Sequence, residues 1–167
     1  MMNFSIFRRT LVAAAVLTAA GLAQAQTVKL SLGHGSAPDN PRHIASLKFA
    51  ELVKAKTNGQ VEVTVSPSGQ LGTDPALITA VRSGAVDITA NSQGAIANVV
   101  PEYAAFGMPF LFADLPSAWK TMDGPVGKEL ADKTAEKGMV VLGYWENGIR
   151  HMSDSKRPLN RPEDMKG

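Results

Sequence analysis

The 167-residue sequence contains no cysteine, which excludes disulfides, Cys-ligated zinc and thiol catalysis together. Aromatic residues are scarce, at 6%. Charge of one sign is lacking too, with 17 Lys and Arg against 15 Asp and Glu. Arg8 and Arg9 lie in an N-terminal leader without acids, so the chain beyond residue 25 balances 15 basic against 15 acidic side chains. Such a balance gives no electrostatic footing for nucleic acid or an anionic membrane surface. Long hydrophobic runs are missing as well. The most apolar stretch, Leu11 to Leu22, is about a dozen residues against the roughly 20 that span a bilayer.

Signatures of catalysis are equally thin. His34, His43 and His151 show no His-x-x-x-His or other metal-ligand spacing. Ser36, Ser66 and Ser68 sit outside any Gly-x-Ser-x-Gly elbow. Gly33-His34-Gly35 lacks the third glycine of a dinucleotide loop. The sequence therefore reads as a non-enzyme without a cofactor.

What is present begins with export. Met1 to Arg9 is a short basic region, Leu11 to Leu22 an apolar one, and Ala23-Gln24-Ala25 an A-x-A cleavage site. Residues 1–25 read as a cleavable signal peptide, which implies delivery to the periplasm and no insertion in the membrane. The adjacent Arg8 and Arg9 are ordinary leader charge, with a twin-arginine route left open. The remaining 142 residues suffice for one domain with a core.

Strand-like and helix-like patterns then alternate. Val28 to Leu32 alternates apolar and polar residues and breaks at Gly33-His34-Gly35. Asn40-Pro41 predicts a helix start, followed by Ala45, Phe49, Leu52 and Val53 on one face and a stop at Asn58-Gly59. Val61 to Val65 predicts a second strand. Asp74-Pro75 repeats the cap signal for a helix ending at Ser83-Gly84, and Val86 to Ala90 predicts a third strand. Pro101 to Phe112 reads as an apolar loop whose Phe106, Phe110 and Phe112 are assigned to the core. Leu115 to Lys137 reads as helix broken at Gly124-Pro125. Met139 to Trp145 is almost wholly apolar and predicts a strand buried on both faces. Pro162-Glu163-Asp164 predicts the first turn of one more helix. Alternation of this kind implies an α/β fold with a mainly parallel sheet flanked by helices.

Open parallel sheets bind ligands beyond the carboxyl ends of their strands. That rule selects Gly33 to Ala37, Ser66 to Asp74, Asn91 to Gly94 and Glu146 to Arg150, and within them only Arg150 supplies a fixed positive charge. Its planar guanidinium grips a carboxylate through two charge-assisted bonds. These loops also hold Asn91, His34 and Asp74, with Asp74 first of all a helix cap.

The same loops carry a family pattern. Gly69-Gln70-Leu71-Gly72 with Asp74, Val100-Pro101-Glu102, Met108-Pro109-Phe110-Leu111-Phe112, Trp145-Glu146-Asn147-Gly148-Ile149-Arg150, Lys156-Arg157-Pro158 and Pro162-Glu163-Asp164-Met165-Lys166-Gly167 follow one another in order. Together they resemble the solute-binding proteins of TRAP transporters, the DctP-like family. The resemblance implies a two-lobed periplasmic receptor that captures a small organic acid and delivers it to a sodium-coupled membrane permease. Arg150 matches a carboxylate-contacting position of the family, Asn91 a pocket-facing one, and Asp74 and the His34 loop further contact regions. A second family arginine lies in a Lys-x-Arg-Val-like strand after the Asp-x-Lys-Gly phrase, beyond Gly167. On this reading residues 26–148 form the first lobe, 149–167 cross into a second lobe, and that second lobe is missing. C4-dicarboxylates, keto acids, sugar acids and aromatic acids all suit the same arginine logic. The alternatives are a stand-alone exported half-lobe with a structural or partner-binding role and, with least support, an exported hydrolase.

Overall fold

A computed structural model describes residues 27–146, 148 and 153–166. Three strands, β1 (Val28–Gly33), β2 (Val61–Ser66) and β3 (Ile88–Thr89), form one sheet in the order β2-β1-β3. Both pairings are parallel, with Gly33 level with Ser66 on one side and Thr89 on the other. The three strands therefore end together, and their following loops share one edge. The helices are α1 (Pro41–Lys56), α2 (Asp74–Ser83), a one-turn α3 (Gln93–Ile96), α4 (Leu115–Met122) and α5 (Pro125–Ala135). Among the described residues no helix is long and apolar enough to cross a membrane.

Local chemistry places these elements where the sequence puts them. Asn40 caps α1, its side-chain oxygen accepting from Arg42 N at 2.9 Å, with Pro41 pre-set for the first turn. Beyond α2, Gly84 takes the left-handed conformation (φ 77°) that closes a helix at no steric cost. Leu77 and Ile78 on α2 are buried, Leu77 against Gly33 at the end of β1. A second cluster, Val100, Tyr103 and Leu130, joins the middle of the chain to α5.

Several expectations are corrected. The third strand is two residues long, because the Asp87 carboxylate rather than a backbone carbonyl takes the Ser31 N–H (2.8 Å) and hydroxyl (2.8 Å). Those bonds hold the Asp87 carboxyl below its ordinary pKa. On α1 the buried residue is Ser46, whereas Leu52 is exposed. Pro101–Gly107 is a 3-10 helix rather than a loop. Phe106 and Phe112 stack with centroids 5.9 Å apart, but Phe110 is fully exposed at a left-handed φ of 63°. Pro162–Met165 forms a 3-10 turn, with Asp164 accepting from the backbone of Asn160 and Arg161.

The largest correction concerns Met139 to Trp145, which among the described residues joins no strand. Val140 and Leu142 are 79% and 66% exposed. Side chains tether this segment where a ladder was expected. Tyr144 donates to Gly127 O at 2.7 Å, and Trp119 Nε1 donates to Glu146 at 3.0 Å. Burial and the neighbouring Tyr103 push the Tyr144 phenol pKa up.

Candidate functional site

The loops leaving β1, β2 and β3 are laced together before any ligand is considered. His34 N donates to Ser66 O (3.2 Å), Gly69 N to His34 O (3.0 Å) and Ser68 N to Ser36 O (2.9 Å). Asp74, at the start of α2, reaches across to the first loop. Its Oδ1 accepts from Gly35 N at 3.1 Å and its Oδ2 from Arg42 Nη1 at 3.1 Å. A Cβ on residue 35 would stand 2.8 Å from that carboxylate oxygen, so glycine is what permits the approach. Arg42 Nη1 also lies 3.5 Å from Ala90 O, at the end of β3. One ion pair thus binds the starts of α1 and α2 to the ends of β1 and β3.

Asp74 is therefore not the cap of α2. Thr73 holds the cap position without a side-chain bond, and the Asp74 carboxylate belongs to Arg42 and Gly35. Arg42 and His43 were not among the candidate ligand residues because they sit on the first turn of a helix and not in the loops at the strand ends. A signal was available. No acid occupies that turn, and Arg42 stands at the helix end whose dipole disfavours cations. Charge placed against the dipole implies a compensating partner.

His34 is fully buried. Its Nδ1 accepts from Ser36 N at 3.2 Å, so that nitrogen carries no proton, and Nε2–H faces His43 Nδ1 at 3.1 Å. Burial first, then His43 and Arg42, lower its pKa, with Asp74 opposing. The folded chain thus holds His34 neutral, while the unfolded chain takes up a proton near pH 6.5. Stability present above pH 6.5 is expected to fall as pH drops below it, until the lowered folded-state value is passed. For this one group the slope is bounded at about 1.4 kcal/mol per pH unit. Urea midpoints measured from pH 7.5 to 5 should show this slope, and His34→Gln should flatten it; an unchanged slope defeats the assignment.

Asn91 follows β3 with its amide nitrogen 3.1 Å from Thr89 Oγ1. Asn91 Oδ1 and Gln93 Oε1 are buried without a hydrogen-bond partner among the described residues, a condition that costs about 1–3 kcal/mol per group. Arg150 lies outside the described residues, so its proximity to the other three rests on sequence alone. Of those three, the structure brings His34 and Asp74 into one bonded cluster and sets Asn91 next to the carbonyl that Arg42 reaches. Among the described residues no group of three His, Asp or Glu side chains is placed to hold a metal. An apolar hollow lined by Phe106, Phe112, Val126 and Leu130 is built by other elements.

The chain is 36% identical to the 2,3-diketo-L-gulonate-binding periplasmic protein YiaO of Escherichia coli, covering 89% of this chain and 47% of that one. The crystal structure of a sugar acid binding protein from Advenella mimigardefordensis in complex with galactonate superposes with a TM-score of 0.81 at 38% identity. That match covers 85% of this chain and 46% of the other. A TRAP periplasmic solute binding protein from Sulfurospirillum deleyianum with bound succinate gives 0.78 at 37% identity, covering 85% and 46%. The chain spans between 32% and 50% of the length of the curated relatives it matches here. The resemblance read from the sequence and the parallel α/β architecture are both borne out. Residues 32–167 match the bacterial extracellular solute-binding proteins, family 7, and the chain belongs to that DctP family of solute-binding transport proteins, not to a family of enzymes.

Proposed function

We propose that this chain is the first ligand-binding lobe of a periplasmic receptor that captures a small organic carboxylate and hands it to a TRAP-type membrane permease. The observation that carries the reading is the common ending of three parallel strands at Gly33, Ser66 and Thr89, with their loops on one edge. Open parallel sheets bind ligands at such an edge. Relatives described with galactonate and succinate support an acid as the ligand. Residues 1–25 serve as the export signal, 26–148 form the lobe, and 149–167 lead toward a second lobe.

In this reading Arg150 grips the carboxylate and Asn91 faces the ligand. His34 and Asp74 act through the loop they brace, shaping its backbone against the ligand. A second lobe then closes over the site, and closure is favoured only by the ligand's extra affinity for the closed form. In a receptor carrying both lobes, Arg150→Ala should weaken binding of its acid by about 2 kcal/mol, roughly 30-fold. Isothermal calorimetry checks this, and unchanged affinity sinks the assignment. Exposed Val140 and Leu142 favour a second reading, a lobe that buries this face on another chain. A monodisperse monomer in analytical ultracentrifugation counts against it.

A further inference from the structure

Among the described residues the guanidinium of Arg42 is engaged through one nitrogen. Nη1 donates to Asp74 Oδ2 at 3.1 Å and lies 3.5 Å from Ala90 O, which fixes the head group where β3 ends and α2 begins. Asp74 takes no second nitrogen, since its other oxygen accepts from Gly35 N. Nε and Nη2 therefore make no hydrogen bond among the described residues. Nor are they sealed from water. The buried side-chain polar atoms left without a partner there are Asn91 Oδ1 and Gln93 Oε1, and neither nitrogen of Arg42 is with them. The Arg42 side chain keeps 11% of its exposure, and this unpaired edge is part of it.

We propose that the Nε–Nη2 edge of Arg42 is a carboxylate contact of the ligand site, additional to Arg150 and supplied by the lobe itself. The inference rests on the receptor reading above and adds a residue to it, leaving the acid unnamed. Nε–H and one Nη2–H point the same way, at the spacing of two carboxylate oxygens, and such a fork forms two parallel charge-assisted bonds. A purely structural ion pair is best served by closing that fork on its partner. Here Asp74 is met through a single nitrogen and the fork stays open. Asp74 and the Ala90 carbonyl already hold the head group, so little ordering remains when an acid arrives. The partly buried setting also screens the charge less than open water does, which strengthens its pull on an anion. Lysine at this position keeps a positive charge for Asp74 but offers no second edge.

The test uses residues 26–167 and two probes of one shape, propionate and its neutral amide, propionamide. Heteronuclear magnetic resonance follows the arginine Nε–Hε signals, with that of Arg42 assigned through its backbone. Propionate should move the Arg42 signal along a saturating curve, while propionamide and an equal concentration of chloride leave it in place. Arg42→Lys should weaken propionate about tenfold, read from the backbone amides of Gly33 to Ala37 and Asn91 to Gly94. If Arg42→Lys does not fold, the Arg42 signal of the parent chain decides alone. An Arg42 signal that stays still while those amides move overturns the assignment and leaves the receptor reading in place. So does an unchanged propionate affinity in folded Arg42→Lys, or a shift that chloride reproduces. If propionate moves no signal at all, the assignment and the carboxylate reading of this lobe fall together.

Discussion

Asp74→Ala is expected to cost about 3 kcal/mol of folding stability, near the low end for removing one partner of a buried ion pair. The side chains of Arg42 and Asp74 retain only 11% and 20% of their exposure. Removing the carboxylate leaves the guanidinium largely out of water, with the distant Ala90 carbonyl at 3.5 Å as its remaining hydrogen-bond partner among the described residues. It also frees the Gly35 N–H, so the loop after β1 loses its tie to α2. Asp74→Asn keeps an acceptor for Gly35 but not the charge, and about half the loss is expected. Arg42→Met combined with Asp74→Leu should recover much of the stability, because the stranded charge is what makes the single change severe. Urea denaturation of the four chains checks the order. A loss below about 1 kcal/mol for Asp74→Ala, the scale of a surface pair, would falsify the account.

The legible parts of this fold are those written in short stretches of sequence. The alternation in Val28 to Leu32 and Val61 to Val65, the Asn40-Pro41 cap and the Gly124-Pro125 break are local signals, and each appears where expected. Misreadings arise where a distant partner decides. Met139 to Trp145 looked like a central strand because both its faces are apolar, yet sheet membership requires a neighbour to pair with, and among the described residues it pairs with none. Val86 to Ala90 lost most of its length to one carboxylate, Asp87, bonding 56 positions back to Ser31. Asp74 matched a cap in isolation, but Arg42, 32 residues earlier, claims it. For the site, the rule of strand ends selected the edge where the loops after β1, β2 and β3 gather, since it depends only on the fold class, while its fourth place, Glu146 to Arg150, rested on a strand that does not form among the described residues. It could not find Arg42 or the unpaired Gln93 oxygen, whose meaning comes from how three loops close on one another.

Gly127→Ala is expected to destabilise the chain by about 3 kcal/mol or more, the range in which overpacking and backbone displacement fall. Gly127 lies in the first turn of α5, buried, where α4 and α5 meet at a tight corner. A Cβ there would overlap the backbone carbonyl of Met122, near the end of α4, and a carbonyl cannot swing aside as a flexible side chain can. The corner must open instead. Opening it moves Gly127 O away from the Tyr144 hydroxyl that donates to it at 2.7 Å, which loosens the tether of the Met139 to Glu146 segment. The same shift disturbs Tyr103, whose hydroxyl lies 3.2 Å from both Tyr144 and Thr134 in the cluster beside Leu130. Helix propensity works the other way, since Ala is favoured over Gly in a helix by about 1 kcal/mol. A destabilised variant therefore isolates the steric cause. Gly143→Ala is the control: its Cβ meets nothing within 4 Å, and a change within about 0.5 kcal/mol is expected. If the two variants unfold at the same urea concentration, the α4–α5 corner is not closed as described, and the anchoring of Tyr144 must be sought elsewhere.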